Sequence, residues 1–347
     1  MTLDEMYMRR CLQLAANGRK NAQPNPMVGA VIVHEGKIIG EGYHVRCGEG
    51  HAEVNAIASV KDAALLREST IYVSLEPCSH YGKTPPCADL IIEKGLRRVV
   101  VGCVDPFAKV QGRGIQKLRE AGIEVRVGVL EEECMRLNKR FMTFHGKHRP
   151  FVTLKWAQSA DGFIDTPEDK PRAVISDSHT GMCGHKRRAE HQAILVGRRT
   201  ALLDNPSLTT RNWYGDNPVR IVVDRSCSLP STLRLFDGEV PTIVFSSSEA
   251  SLPADSCHAE KIAIDFNADI IPQILDKLYE RGIQTLLVEG GRLLLQSFID
   301  DGLWDEAYVE TGHILLHEGV KAPVLKDCVL MNSSCHINAF QRVFKDF

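Results

Sequence analysis

The stretch that decides the fold of the N-terminal half is Glu76-Pro77-Cys78-Ser79-His80-Tyr81-Gly82-Lys83-Thr84-Pro85-Pro86-Cys87, together with His51-Ala52-Glu53 upstream of it. His51, Cys78 and Cys87 are zinc ligands by residue type, and three protein ligands leave the fourth tetrahedral position to a water, as a catalytic zinc site requires. Glu53 lies close to these ligands in sequence without being one of them. The pattern predicts one zinc ion per chain with a proton-carrying carboxylate beside it.

A His-x-Glu motif followed by Pro-Cys and a second cysteine is typical of zinc deaminases. Nucleoside and base deaminases usually have about two residues between the cysteines, whereas residues 79–86 separate them here. This longer loop carries His80 and Lys83, which suit a phosphate that a free base does not have. A structural zinc site is the alternative, although it would use a fourth protein ligand and would not need Glu53.

The residues around these motifs predict an α/β layered domain. Thr2-Leu3-Asp4-Glu5 has the pattern of a capping box that begins a first helix. Residues 28–33 and 37–43 are β-rich runs that predict a hairpin. Helix, strand, helix and strand are then expected at residues 53–60, 70–74, 88–94 and 98–101.

A length of 347 residues favours two domains. The segment 144–150 lacks apolar periodicity and ends in proline, so we place the boundary there, with a first domain at residues 1–146 and a second at 150–347. A second α/β series is expected after it. Its strands are predicted at residues 151–156, 194–196, 219–223, 242–245 and 285–288, and its helices at 178–190, 270–281 and 292–299.

Composition favours a globular enzyme of the cytoplasm that acts on a small molecule. The formal net charge is −2, without the basic surplus that nucleic-acid binding demands. The opening residues carry acids where a secretory signal carries bases, and no long apolar run follows, so neither secretion nor membrane insertion is expected. The 11 cysteines are an odd number, which favours reduced thiols and metal ligands over a disulfide framework.

Four motifs of the first half carry a family resemblance: Pro24-Asn25-Pro26-Met27-Val28-Gly29, Gly42-Tyr43-His44, His51-Ala52-Glu53 and the stretch from Glu76 to Cys87. With them the chain resembles the bacterial bifunctional riboflavin biosynthesis proteins, which join a diaminohydroxyphosphoribosylaminopyrimidine deaminase to a 5-amino-6-(5-phosphoribosylamino)uracil reductase. The resemblance implies a cytidine-deaminase-like three-layer domain that hydrolytically deaminates 2,5-diamino-6-ribosylamino-4(3H)-pyrimidinone 5′-phosphate. Glu53 would be its catalytic residue, and Asn25, His44, Lys83 and Asp105 would bind the substrate.

Beyond Pro150 the resemblance continues through Thr153-Leu154-Lys155, Ser159-Ala160-Asp161-Gly162, Arg188-Ala189-Glu190, residues 200–208 and Val288-Glu289-Gly290-Gly291. It implies a dihydrofolate-reductase-like domain that uses NADPH to reduce the ribosyl group to ribityl. Backbone amides after Gly290-Gly291 would suit the cofactor pyrophosphate at a helix N-terminus. NADPH contacts are expected at Gln158, Thr200, Asp204, Gly291, Arg292, Leu293, Leu294, Leu295, Gln296 and Ser297, and substrate contacts at Arg188, Leu208, Arg211 and Glu289.

Several residues depart from the family pattern: Phe107 follows Asp105-Pro106 in place of asparagine, Val174 stands for tryptophan, Gln192 for aspartate, Arg198-Arg199 for small residues and Asn205 for a second acid. Two alternatives to a bifunctional enzyme therefore stay open. One is a nucleic-acid or free-nucleoside deaminase with an unrelated C-terminal domain. The other is a C-terminal half that binds nucleotide or mediates oligomerisation without catalysis. We expect a homo-oligomer.

Overall fold

The first helix, α1 (Leu3–Ala16), confirms the predicted capping box. The Thr2 hydroxyl accepts the backbone N–H of Glu5, and the Glu5 carboxylate accepts the backbone N–H of Thr2. These two bonds satisfy donors that a helix N-terminus otherwise leaves without partners. The helix buries Tyr7, Met8 and Cys11 on one face, as the apolar spacing of the sequence indicates.

The computed structural model describes residues 1–81, 85–107, 110–253, 255–256, 258–336 and 339–346, with the backbone alone for Lys20 and Asp346. The chain divides into two units, Met1–His148 and Arg149–Phe347, each with its own core. No helix among the described residues is long and apolar enough to cross a membrane.

The first unit is a three-layer α/β domain. After α1 come β1 (Gly29–His34), β2 (Lys37–Tyr43), α2 (Ala52–Ala58), β3 (Thr70–Leu75), α3 (Cys87–Glu93), β4 (Arg98–Cys103), α4 (Arg113–Glu120), β5 (Glu124–Val127), α5 (Glu131–Leu137) and α6 (Lys139–Lys147). The strand order is β2-β1-β3-β4-β5. The hairpin β1–β2 is antiparallel as predicted, and its turn places Glu35 and Gly36 at positive φ. Strands β3, β4 and β5 run parallel.

Helices cover both faces of this sheet. One core cluster joins the sheet to α2, α3 and α4 through Ala56, Ile91 and Leu118. The other joins it to α1 and α5 through Met8 and Cys134. Because both faces are covered, the parallel strands read as continuous apolar runs such as Val99-Val100-Val101, all fully buried.

The second unit is built on a nine-stranded mixed sheet. Its elements are β6 (Phe151–Gln158), β7 (Phe163–Asp165), α7 (Ser178–Ala189), β8 (Ala193–Gly197), α8 (Arg198–Asp204), β9 (Val219–Val223), β10 (Thr242–Ser246), β11 (Ala259–Ala263), α9 (Ile270–Glu280), β12 (Thr285–Glu289), α10 (Arg292–Asp300), β13 (Glu306–Gly312), β14 (Val320–Lys321), β15 (Cys328–His336) and β16 (Ala339–Asp346). The order in the large sheet is β11-β10-β9-β8-β12-β6-β13-β16-β15, and β14 pairs with β7 separately. The strands from β11 to β13 are parallel, and β15 and β16 add an antiparallel pair.

A buried carboxylate ties α1 to three strands of the first unit. Asp4 is 7% exposed. It accepts hydrogen bonds from the Tyr72 hydroxyl on β3, from two nitrogens of Arg98 on β4, and from Arg126 on β5. The hydrogen bonds from Arg98 lower the pKa of Asp4 to about 2. The ionised carboxylate therefore stabilises the fold above the pKa of an unfolded aspartate, and this contribution disappears as the pH falls towards 2.

We predict that Asp4→Asn lowers the free energy of unfolding of the first unit by about 2 kcal/mol at neutral pH, because the amide loses the charge that Arg98 and Arg126 contact. All three tryptophans, Trp156, Trp213 and Trp304, lie in the second unit. Urea unfolding followed by circular dichroism should therefore show an earlier transition, while the transition in tryptophan fluorescence should barely move. The exposed Glu132→Gln is the matched control, and an equal loss of stability at pH 2 and pH 7 would contradict the assignment.

Candidate active sites

The three predicted zinc ligands converge in the first unit. His51 immediately precedes α2, Cys78 follows β3, and Cys87 is the first residue of α3. His51 Nδ1 lies 3.6 Å from Cys78 Sγ and 3.3 Å from Cys87 Sγ. Tetrahedral zinc with ordinary Zn–N and Zn–S bonds places such atoms about 3.5 Å apart. The donor set therefore fits one zinc ion.

The pKa values of the three side chains show how closely their ligand atoms interact. Hydrogen bonds from Cys87 and His51 lower the pKa of the Cys78 thiol. The neighbouring Cys78 raises the pKa of Cys87, and the hydrogen bond to Cys78 raises that of His51 to about 9. Zinc would bind His51 and both cysteines in their deprotonated forms, so its binding would release protons.

Glu53 lies in the first turn of α2 and is 3% exposed. Burial raises the pKa of its carboxyl to about 7, and the side chain is within hydrogen-bond reach of Cys87. A carboxyl group with a pKa near the working pH can both accept and return a proton. The side chain of Glu53 thus lies beside the metal ligands, and its role as the catalytic carboxylate stays a prediction.

A close contact with strand β2 sets the position of α2. A Cβ atom on Gly42 would lie 2.3 Å from Ala56 N and 2.6 Å from Ala52 O, both backbone atoms of the helix. Only glycine allows so close an approach. Gly42 belongs to the motif Gly42-Tyr43-His44, and its conformational role is to bring the helix that carries Glu53 against the sheet.

The expected substrate residues Asn25 and His44 lie together beside the zinc ligands. Asn25 Nδ2 is 3.1 Å from His44 Nε2, and the His44 ring makes an edge contact with His51 at a centroid distance of 5.4 Å. Burial lowers the pKa of His44, which favours a neutral imidazole. Lys83 lies outside the described residues.

Asp105, the remaining expected substrate residue of this unit, follows β4. Burial raises the pKa of its carboxyl to about 6. Its Oδ1 atom accepts the backbone N–H of Phe107 at 2.8 Å. Phe107 makes ring contacts with His80 and His145 at centroid distances of 6.0 and 5.0 Å, so an aromatic side chain follows Asp105-Pro106 at this edge of the site.

Glu76 has a structural role that the sequence reasoning missed. Its carboxylate accepts four backbone N–H groups, from Asp105, Gly112, Gly114 and Ile115, at 2.9 to 3.3 Å. These bonds hold the start of α4 and the loop after β4 against Pro77-Cys78. The signal in the sequence is an acid immediately before the metal-ligand motif. The structure buries this acid, and a buried carboxylate needs several donors.

A cavity of about 920 Å³ lies at the carboxyl ends of the parallel strands in the second unit. Such an edge is where open α/β sheets bind ligands. Most of the residues expected from the sequence to contact cofactor or substrate line it: Arg188, Thr200, Asp204, Leu208, Glu289, Gly291, Arg292, Leu293, Leu294 and Ser297. Lys155 also lines it.

The turn between β12 and α10 meets α8 at this cavity. Thr200 Oγ1 accepts the backbone N–H of Gly291 at 2.9 Å. A Cβ atom on Gly290, where φ is +109°, would lie 2.7 Å from the same oxygen. The Gly291 amide is therefore already used, and the amides of residues 292–294 at the start of α10 are the ones suited to a pyrophosphate.

Charged side chains on two neighbouring strands and α7 form the floor of the cavity. Glu289 pairs in register with Lys155, and its carboxylate accepts Arg188 Nη2 at 2.9 Å. Burial opposes ionisation of Glu289, yet Arg188 and Lys155 hold the pKa of its carboxyl below the usual value. Arg188 and Arg211 meet at Thr209. The Thr209 carbonyl oxygen accepts a hydrogen bond from Arg188 at 3.4 Å, and its hydroxyl oxygen accepts one from Arg211 at 3.3 Å.

Three expected cofactor residues direct their side chains elsewhere. Gln158 Oε1 accepts the indole N–H of Trp156 at 2.8 Å. Leu295 is fully buried in the core. Gln296 bonds to Asp300 and to the backbone of Val324. A cofactor contact from any of them stays a prediction.

Two departures from the family pattern have structural roles. Asn205 ends α8 in the left-handed region, φ 40°, which asparagine tolerates well, and its side chain accepts the backbone N–H of Arg234. Gln192 accepts the backbone N–H of Gln284, and its own backbone N–H donates to Thr285 Oγ1. Val174 lines the cavity and is 83% exposed.

Comparison with known proteins gives the same division into a deaminase and a reductase half. Residues 1–103 match the model of the cytidine and deoxycytidylate deaminase zinc-binding region, and residues 150–319 match that of the RibD C-terminal domain. Both expected fold classes, cytidine-deaminase-like and dihydrofolate-reductase-like, are thereby confirmed. The chain is a zinc-dependent deaminase fused to a reductase.

Relatives cover almost the full length. The riboflavin biosynthesis protein RibD of Aquifex aeolicus is 40% identical over 324 residues, 92% of this chain and 89% of that protein. RibD of Bacillus amyloliquefaciens is 40% identical over 93% of this chain and 88% of its own. A crystal structure of a diaminohydroxyphosphoribosylaminopyrimidine deaminase/5-amino-6-(5-phosphoribosylamino)uracil reductase from Thermotoga maritima is 38% identical, with a TM-score of 0.86 and coverage of 99% of both chains. The chain belongs to the RibD family of riboflavin biosynthesis proteins.

We predict that Glu76→Gln weakens zinc binding by about 10- to 100-fold, because the amide replaces an oxygen that accepts backbone N–H groups with an N–H₂ group that cannot. Competition with a chromophoric chelator measures the zinc affinity, and metal analysis measures the content. The exposed Glu68→Gln controls for loss of one negative charge. Unchanged zinc affinity in a folded Glu76→Gln protein would show that the four bonds do not support the metal site.

Proposed function

We propose that residues 1–146 deaminate 2,5-diamino-6-ribosylamino-4(3H)-pyrimidinone 5′-phosphate and that residues 150–347 then reduce its ribosyl group to ribityl with NADPH. The proposal rests chiefly on one observation: His51, Cys78 and Cys87 form a zinc-ligand set beside the buried Glu53. The same chain continues into a reductase domain with a large cavity at its sheet edge. Both activities belong to the riboflavin pathway of the family.

Zinc held by His51, Cys78 and Cys87 would lower the pKa of a water towards about 7 and would so supply the nucleophile for hydrolysis. Glu53 would accept a proton from that water and pass it to the amino group, which would leave as ammonia as the C–N bond breaks and the new C–O bond forms. Burial of Glu53 places this transfer away from bulk water.

Asn25, His44 and Asp105 are proposed to hold the substrate in the first unit. The bond between the Asn25 amide and His44 fixes the orientation of both side chains. The His44 Nδ1 atom is 3.2 Å from Gly50 O, which favours a proton on Nδ1 and leaves Nε2 to accept the Asn25 amide. We propose Lys83 as a contact for the substrate phosphate on the basis of the sequence.

NADPH held in this cavity would supply the hydride for C1′ of the ribosyl group, and the sugar ring would open as the C1′–O bond breaks. Arg188 keeps Glu289 ionised, so this carboxylate accepts hydrogen bonds from the substrate. We propose Lys155, beside it on β6, as the donor of the proton that the ring oxygen gains as the C1′–O bond breaks. Arg188 and Arg211 converge on Thr209 and are proposed to grip the 5′-phosphate, with Leu208 packing against the substrate.

Along the cofactor we propose contacts from Thr200, Asp204, Gly291, Arg292, Leu293, Leu294 and Ser297, which line the cavity. Arg172 forms ion pairs with Asp204 at 2.7 Å and with Asp165. We further propose that the enzyme works in the cytoplasm on this small-molecule nucleotide, without nucleic acid or membrane, and that it forms a homo-oligomer.

We predict that Glu53→Gln lowers the rate of deamination by at least about a hundredfold, because the amide keeps the size of the side chain but cannot accept the proton. Zinc content should stay at one ion per chain, since His51, Cys78 and Cys87 are unchanged. Ammonia release from the diaminopyrimidine nucleotide measures the first activity. Supplying the deaminated nucleotide with NADPH measures the second, which should proceed at close to the wild-type rate.

The exposed Glu49→Gln, near the same helix, serves as the matched control. Persistence of deamination would show that Glu53 does not carry the proton. Loss of both activities in a folded variant that retains zinc would show that the two units are catalytically coupled, contrary to the division proposed here.

A further inference from the structure

Arg198 is a cation of the reductase cavity. It has no part in the proposed zinc chemistry or in the proposed substrate contacts. It is the first residue of α8, directly after β8, and its side chain lines the cavity and is 47% exposed. An arginine at this place adds five N–H donors and a permanent positive charge.

The Arg198 guanidinium is oriented by its inner nitrogen. Nε donates to Ser228 Oγ at 3.1 Å and lies 3.4 Å from Asp224 Oδ1. Its two terminal nitrogens have no hydrogen-bond partner within the part of the chain that the structure describes. The guanidinium therefore presents a fixed pair of donors, the geometry that binds a phosphate through two parallel hydrogen bonds.

Asp224 supports Arg198 and is not itself available to a ligand. It is 1% exposed, and its carboxylate accepts the backbone N–H of Leu229 at 2.9 Å and the Ser228 hydroxyl at 3.5 Å. An acid at the end of a neighbouring strand can bind the 2′-hydroxyl of an unphosphorylated adenosine ribose. Here Asp224 is buried and its oxygens already accept hydrogen bonds. The exposed polar group at this place is the Arg198 guanidinium.

The order of strands places Arg198 relative to the cofactor. Lys155 and Glu289, at the proposed reacting centre, lie on β6 and β12, and α10 begins after β12. Next in the sheet come β8, which leads to Arg198 and Thr200, and then β9, which leads to Asp224. Neighbouring strands are about 4.8 Å apart. A dinucleotide with its pyrophosphate at the start of α10 and its nicotinamide over β6 therefore extends its adenosine towards β8 and β9.

We propose that Arg198 binds the 2′-phosphate on the adenosine ribose of NADPH and thereby selects NADPH over NADH. This inference rests on the proposed reductase function. It assigns the selectivity to one side chain of this chain, held by Ser228 and Asp224. The 2′-phosphate is the only chemical difference between the two cofactors. The ratio of the affinities for NADP⁺ and NAD⁺ therefore measures the contact between Arg198 and this phosphate directly.

Arg199 offers a matched control. It lines the same cavity one residue further along, and its side chain is 60% exposed. Its guanidinium forms an ion pair with Glu168. Removal of Arg199 changes the net charge of the cavity as much as removal of Arg198 does, but it leaves the oriented donors in place.

The test is calorimetric binding of NADP⁺ and NAD⁺ to the full chain, with zinc present and without substrate. Wild type is expected to bind NADP⁺ at least about tenfold more tightly than NAD⁺. Arg198→Ala should lose at least about tenfold in NADP⁺ affinity, with NAD⁺ affinity changed by less than about twofold. Arg198→Lys, which keeps the charge without the fork, should fall between them, and Arg199→Ala should keep the wild-type ratio.

Other outcomes overturn the inference in distinguishable ways. If Arg198→Ala binds both nucleotides equally less well, the residue supports the fold or another part of the cofactor. If Arg199→Ala removes the preference as fully as Arg198→Ala, net charge and not an oriented contact selects NADPH. If wild type binds both nucleotides equally, Arg198 has no selective role while the cofactor site stands. If wild type binds neither, the proposed cofactor site fails together with the inference.

Discussion

Both units depend on one constraint of parallel β-structure. Parallel strands need crossover connections, so their carboxyl ends lie along one edge of the sheet, where the chain leaves the hydrogen-bond ladder. In the first unit β3 and β4 lead at this edge to Cys78 and Asp105. In the second, β8 and β12 lead to Thr200 and Gly290. Residues far apart in sequence become neighbours there, and each site combines a metal ligand or backbone amide with charged side chains from adjacent strands.

The parts of the fold that sequence could predict are those with short-range causes. The capping box at Thr2, the hairpin with Glu35-Gly36 in its turn, and the alternation of strands and helices all arise from interactions between residues a few positions apart. The zinc ligands were predictable for another reason. Few residue types bind zinc, and their spacing is restricted by the strand and helix ends that carry them.

The features of the fold and of the sites that the sequence could not predict depend on long-range packing or on helix geometry. Glu76 finds its four donors 29 to 39 residues further along the chain, and the antiparallel pair β15–β16 completes the sheet beside β13. No local pattern encodes such partners. In α10 a continuous run was expected to contact the cofactor, but a helix turns about 100° per residue. Leu295 therefore faces the core while Leu293 is 83% exposed.

The contact between Gly42 and α2 also bears on the thermodynamics of metal binding. In small zinc-dependent domains the free energy of metal binding is consumed in folding the chain around the ion. Here α2 is held on the sheet by backbone atoms too close to admit a methyl group, and the amide of Cys87 donates to Cys78 Sγ at 3.3 Å. Packing and hydrogen bonds of the polypeptide therefore contribute to the placement of the ligands, and zinc need not supply all of the free energy that orders α2.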